Sequence, residues 1–138
     1  MDKNKLIKKI EDCREIMIYG AGNLGRMAYE IIHFLQMESK VTGFIETQKT
    51  KESYLELPII SLEQLDAQQK DRVILVAVRE KLYETIEALL REHGVEEYYD
   101  FRCLYNPNWA GVKQVSEKWK KKCKTYLETE RGVQECQQ

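Results

Sequence analysis

The sequence predicts an α/β domain in which a parallel sheet of about five strands lies between layers of helix. Three observations predict it. Short apolar runs alternate along the chain with amphipathic segments. A Gly-x-Gly-x-x-Gly turn joins the first run to the first strong amphipathic segment. Hydrophobic residues make up 43% of the chain beside 33% charged residues, a balance that suits a folded core rather than a disordered polymer. With right-handed crossovers the expected strand order is 3-2-1-4-5.

Each element has its own warrant. Residues 3–13 place Leu6, Ile7 and Ile10 on one face among lysines, an amphipathic helix. Glu15–Tyr19 is a short apolar run suited to a buried parallel strand. After the glycine turn, Leu24, Met27, Ala28, Ile31, Ile32 and Leu35 recur at helical spacing. Lys40–Glu46 is the second strand, and polar Thr47–Glu56, with Lys49, Lys51 and Glu52, reads as a flexible loop. Leu57–Ile60 is a short strand that Pro58 assigns to an edge. Ser61 and Gln64 form a capping box for a short helix over residues 62–69. Asp71–Val78 is the strongest strand. Leu82, Ile86, Leu89 and Leu90 mark a helix that Gly94 stops, and Glu96–Phe101 is the last strand.

The pattern changes after Asn106-Pro107-Asn108, a cluster of helix breakers. Residues 1–105 form the expected sheet domain, 106–131 a C-terminal helical extension and 132–138 a flexible tail. In the extension, Val112, Val115, Trp119, Cys123 and Tyr126 line one stripe and lysines crowd the rest. The plainer reading is a solvated face with an apolar packing stripe; the alternative is a phosphate surface or a surface for a homo-oligomer or protein partner.

Composition removes several classes of function. A net charge of −1 gives no global pull toward nucleic acid or an anionic membrane. No apolar run approaches the roughly 18–20 residues of a membrane span. Cys13, Cys103, Cys123 and Cys136 lack the short spacing of a zinc knuckle or redox dithiol, so they read as free thiols of a reducing, cytoplasmic compartment.

The chemistry centres on Gly20-Ala-Gly22-Asn23-Leu24-Gly25, which follows a strand and opens a helix. The first glycine allows the tight turn, the second lets backbone approach a phosphate, and the third lets helix and strand pack closely. The amides and dipole of the helix start then favour an anion. Glu46 ends the second strand 21 residues after Gly25, where a carboxylate accepts hydrogen bonds from ribose hydroxyls and repels a 2′-phosphate. That favours an NAD-like dinucleotide or another unphosphorylated ribose ligand. Arg79 follows the fourth strand at the sheet's carboxyl edge, where it can meet a phosphate. Strand, turn and helix in this order specify a Rossmann-like three-layer sandwich. The plainer explanation is a turn kept only for packing after its ligand was lost, leaving a protein-interaction or regulatory scaffold. His33 reads as a surface or packing residue and His93 as a partner of its helix dipole.

Catalytic residues are not legible. None of the eight tyrosines has a lysine four positions on, and no His–carboxylate or Cys–His arrangement stands out. An oxidoreductase also needs a second domain to present a reacting carbon to the nicotinamide.

Ile16–Gly25, Val41–Glu46, Leu57–Glu63 and Val73–Val78 together resemble the small Rossmann-like domains of bacterial polysaccharide-biosynthesis proteins. These include the N-terminal domains of nucleotide-sugar epimerases and dehydratases and of sugar acetyltransferases. The runs are also similar to the CoA-binding-like NAD(H) domains of redox sensors. The resemblance covers about residues 14–101. It implies a nucleotide-sugar or a dinucleotide on Gly20, Gly22, Asn23, Leu24 and Gly25, with Glu46 at the ribose and Val78-Arg79 walling the base or sugar. Hexapeptide repeats, a winged helix and a dehydratase domain are all missing from the sequence. The expectation is a binding domain accessory to, or excised from, a surface-polysaccharide enzyme.

Overall fold

The computed structural model describes residues 2–104. In chain order these form α1 (Lys3–Asp12), β1 (Glu15–Tyr19), α2 (Asn23–Phe34), β2 (Val41–Glu46), β3 (Ser53–Tyr54), β4 (Leu57–Ser61), β5 (Arg72–Val76), α3 (Glu80–Glu92) and β6 (Tyr98–Asp100). Single 3₁₀ turns occupy Glu38–Lys40, Leu62–Gln64 and Phe101–Leu104. The expected Trp119 helix and C-terminal tail lie outside the described residues.

The strands form one sheet in the order β3-β4-β2-β1-β5-β6. Neighbours run parallel except β3 and β4, which pair antiparallel through Ser53 with Pro58 and Tyr54 with Leu57. This is an α/β architecture compatible with a Rossmann-like fold, but it differs from the expected five-strand order. The sixth strand comes from the segment expected to be a flexible loop. There Leu55 and Glu56 take φ of 51° and 65°, a tight turn that Asn-Gly would ordinarily signal and that Leu-Glu does not. Pro58 is therefore not on the outermost strand. It is tolerated because the Ile59 amide, not residue 58, donates to the Glu52 carbonyl, and β4 pairs with β2 only from Ile59 onward.

Alternation along the strands divides the core between the two faces of the sheet. Ile16, Ile18, Phe44, Ile59, Val73 and Leu75 pack with Leu6 and Ile10 of α1, with Met27, Ala28, Ile31 and Ile32 of α2, and with Phe101 and Leu104. Met17, Tyr19, Ile45, Ile74 and Val76 pack on the opposite face with Leu62, Leu65, Ile86, Leu90 and Val95. Helical layers thus cover both sides of a twisted sheet, and burial rather than intrinsic propensity sets each amphipathic helix in place.

The helix ends explain where elements begin and stop. Asp2 caps α1 by accepting from the Lys5 amide at 2.8 Å. At the other end of α1, the Lys40 ammonium donates to the carbonyls of Ile10, Glu11 and Cys13 at 2.9, 2.5 and 2.9 Å. Gly94, at φ 94°, ends α3 in a Schellman arrangement in which the Val95 amide donates to Leu90 and the Gly94 amide to Arg91. Gln36 does the same for α2 at φ 63°, with Met37 donating to Ile32 and Gln36 to His33. The Ser61–Gln64 capping box forms, but its helix is a single 3₁₀ turn rather than the expected 62–69. Asp66 accepts from the Gln68 amide at 2.9 Å, diverting the chain into a local turn. No described helix is long and apolar enough to cross a membrane.

Candidate functional site

β1 ends at the carboxyl edge of the sheet, flanked by β2 and β5. Its last ladder bonds run into the turn itself. The Gly20 amide donates to Ile45 at 2.8 Å, and the Ala77 amide donates to Tyr19 at 2.8 Å. The glycine turn is therefore held between the ends of both neighbouring strands, and α2 starts directly above it.

The three glycines have different reasons to be glycine. Gly20 sits at φ 115°, and a Cβ there would lie 2.4 Å from the Ala77 carbonyl oxygen. A Cβ on Gly25 would lie 1.9 Å from the Gly20 carbonyl oxygen, so this residue sets the approach of α2 to β1. Gly22 differs from both. It caps α2 in an extended conformation (φ −138°, ψ −153°), and a Cβ there would meet nothing within 4 Å. No side chain caps the helix at this point. Asn23 and Leu24 open the first turn, Asn23 exposed and Leu24 packed partly against the core.

Glu46 ends β2 as expected, half-buried, and its Oε1 accepts from the Thr50 amide at 3.3 Å. It thereby fastens the start of the following loop while its other oxygen faces no described donor. Arg79 is the N-cap of α3, with backbone extended and side chain half-exposed. Its neighbour Val78 approaches Gly20, with Cγ1 3.5 Å from where a Cβ would stand. The structure thus brings the turn, the end of β2 and the start of α3 to one edge.

Two residues of this edge were not legible as site residues in the sequence. Lys51 donates from Nζ to the Ala21 carbonyl at 3.0 Å, and its ammonium lies 4.4 Å from the centre of the Tyr54 ring. Tyr54 donates its hydroxyl to the Gly22 carbonyl at 3.1 Å and packs edge-on against buried Phe44 at 5.1 Å. The signal for them was topological. The loop after a strand adjacent to β1 emerges beside the turn, but which of its residues meet the turn is set by β3.

Tyr19 packs in the core on the α3 side of the sheet, and its hydroxyl shares a 2.5 Å hydrogen bond with Thr47 at the root of that loop. Burial pushes its ionisation upward. His33 is exposed beside Glu38 at 3.3 Å. His93 ends α3, and its ring nitrogen meets the Leu65 carbonyl at 2.7 Å, which ties the helix end to the 3₁₀ turn. No group of three or more His, Cys, Asp or Glu among the described residues is placed to hold a metal ion.

Hollows of about 260 and 430 Å³ lie at the opposite, amino edge of the sheet and share Asp71, Arg72 and Glu97. Around the first, Asp12, Asp71 and Glu97 outnumber Lys9 and Arg72, which is the wrong balance for a phosphate. Arg72 is buried there and donates to the Asp66 carbonyl at 2.8 Å, while its Nε is sealed without a partner. The carboxyl edge instead gathers the first amides of α2, an uncrowded Gly22 and a lysine.

No family model matches the chain, and neither does any curated protein.

Proposed function

We propose that the chain binds a nucleotide, an NAD-like dinucleotide or a nucleotide-sugar, with its diphosphate on the Gly20–Gly25 turn. The observation that carries this reading is Gly22. Packing accounts for Gly20 and Gly25, whose hydrogens face carbonyl oxygens, but a Cβ at Gly22 would meet nothing within 4 Å. A turn kept for packing alone needs two glycines. The third leaves room where an anion would approach the first amides of α2.

The neighbouring groups agree in chemistry. Glu46 at the end of β2 offers a carboxylate for ribose hydroxyls, and Arg79 stands at the start of α3 on the same edge. The likeness to small domains of polysaccharide-biosynthesis proteins directs the search toward nucleotide-sugars as well as dinucleotides, in a role accessory to another enzyme.

A thermal-shift panel of NAD, NADH, NADP, CoA, UDP, UDP-sugars and dTDP-sugars tests the proposal. A ligand at 100 times its dissociation constant adds about 2.7 kcal/mol, several degrees for a domain of this size. Gly22→Asp is expected to abolish the shift, because its carboxylate would stand where the phosphate binds. A flat response across the panel at millimolar ligand refutes the reading and leaves a scaffold whose ligand is another protein.

A further inference from the structure

We propose that Lys51 helps to neutralise the bound phosphates, carried on a clasp formed by residues 47–56, so that the site selects nucleoside diphosphates over nucleosides. This rests on the nucleotide-binding reading of the turn and specifies how that site chooses its ligand.

The clasp has a fixed base and an adaptable tip. Its base is the β3–β4 pairing together with Tyr54, whose ring is wedged against Phe44 and whose hydroxyl holds the Gly22 carbonyl. Its tip is Lys51, an exposed side chain with its ammonium on the Ala21 carbonyl, one residue before the helix cap. An ammonium has three donors. The carbonyl takes one and the Tyr54 ring face screens another side, so a phosphate oxygen can be met without breaking the present bond.

The charge pattern around the tip points the same way. Nearby Lys49 is paired with Glu52 at 3.0 Å, Glu46 is engaged by Thr50, and Arg26 on α2 faces Glu30 at 3.6 Å. Among the described residues Lys51 meets a carbonyl and a ring, with no carboxylate within ion-pair distance. A helix N-terminus supplies about half a positive charge. A diphosphate brings two or more negative charges, so the turn alone leaves most of that charge unbalanced. Lys51 is a cation already hydrogen-bonded to the turn.

The test is calorimetric titration of the full chain with ADP, UDP, adenosine and uridine, for the unmodified protein, Lys51→Met, Lys51→Arg and Gly22→Asp. For whichever diphosphate binds, the unmodified protein should exceed its affinity for the nucleoside by about tenfold or more, and Lys51→Met should lose about that factor. Lys51→Arg should keep most of the affinity, and Lys51→Met should flatten its salt dependence. If Lys51→Met keeps full affinity for a diphosphate that Gly22→Asp no longer binds, the clasp is refuted and the turn stands. If the unmodified protein binds neither ADP nor UDP more tightly than its nucleoside, the selection of diphosphates by Lys51 is refuted, and only a flat response across the nucleotide panel refutes the turn as well.

Discussion

Replacing Gly25 and replacing Gly22 should have opposite consequences for stability. A Cβ at Gly25 would stand 1.9 Å from the Gly20 carbonyl oxygen, where even 3.0 Å is closer than such atoms come. Gly25→Ala must therefore push α2 more than an ångström off the end of β1. That loosens Met27, Ala28, Ile31 and Ile32 from the sheet, and overpacking on this scale costs about 3 kcal/mol. Gly22→Asp introduces a side chain into open space, on extended backbone, at a helix cap that has no side-chain acceptor. Aspartate is a favoured N-cap, so its stability should match or slightly exceed that of the unmodified protein. Urea unfolding followed by circular dichroism separates the two. With a slope of about 1.5 kcal/mol per molar, the midpoints should lie about 2 M apart. Equal damage from both substitutions would make Gly22 a packing residue and remove the reasoning that reserves its space for a ligand.

Gln36 ends α2 at φ 63°, so Gln36→Gly should raise stability by about 0.5–1 kcal/mol, seen as a rise of a few degrees in Tm. Lys40→Met removes three hydrogen bonds to the end of α1 and should cost about 1–2 kcal/mol in the same denaturant assay. Burial, followed by neighbouring Glu87 and Asp100, pushes the Tyr83 phenol up from 10.0 to about 12, and burial also raises Tyr19 and Tyr99. The folded chain therefore keeps protons that the unfolded chain loses above pH 10.0. Stability that is intact below that value should fall as pH climbs toward about 12, and Tm measured across the alkaline range checks it.

The parts of the fold that were legible share a cause. Ile16–Tyr19 of β1, Phe44-Ile45 of β2 and Val73–Val76 of β5 are buried, so apolar runs mark these strands, and α2 and α3 carry the spacing that one-sided burial requires. Gly94 announced the end of α3 because its φ of 94° is a conformation glycine adopts freely. What stayed hidden was decided by long-range contact. The turn at Leu55 and Glu56 and the Schellman end at Gln36 use left-handed residues that are not glycine, with no local signature. Lys40 reaches across roughly thirty residues of sequence to cap α1, a contact only the assembled sheet creates. In the candidate site, Gly20, Gly22, Gly25 and Glu46 could be read from spacing. Lys51 and Tyr54 could not, since their meeting with the turn depends on a strand that the composition of residues 47–56 conceals.

An amide-resolved NMR titration of the unmodified protein with NAD, UDP and a UDP-sugar would locate the nucleotide on the molecule. One of these ligands should shift the backbone amides of Gly22, Asn23, Leu24 and Gly25, together with Lys51 and Tyr54, and leave the amino edge around Arg72 unmoved. Shifts confined to the amino edge, or none at saturating ligand, would contradict the proposed site.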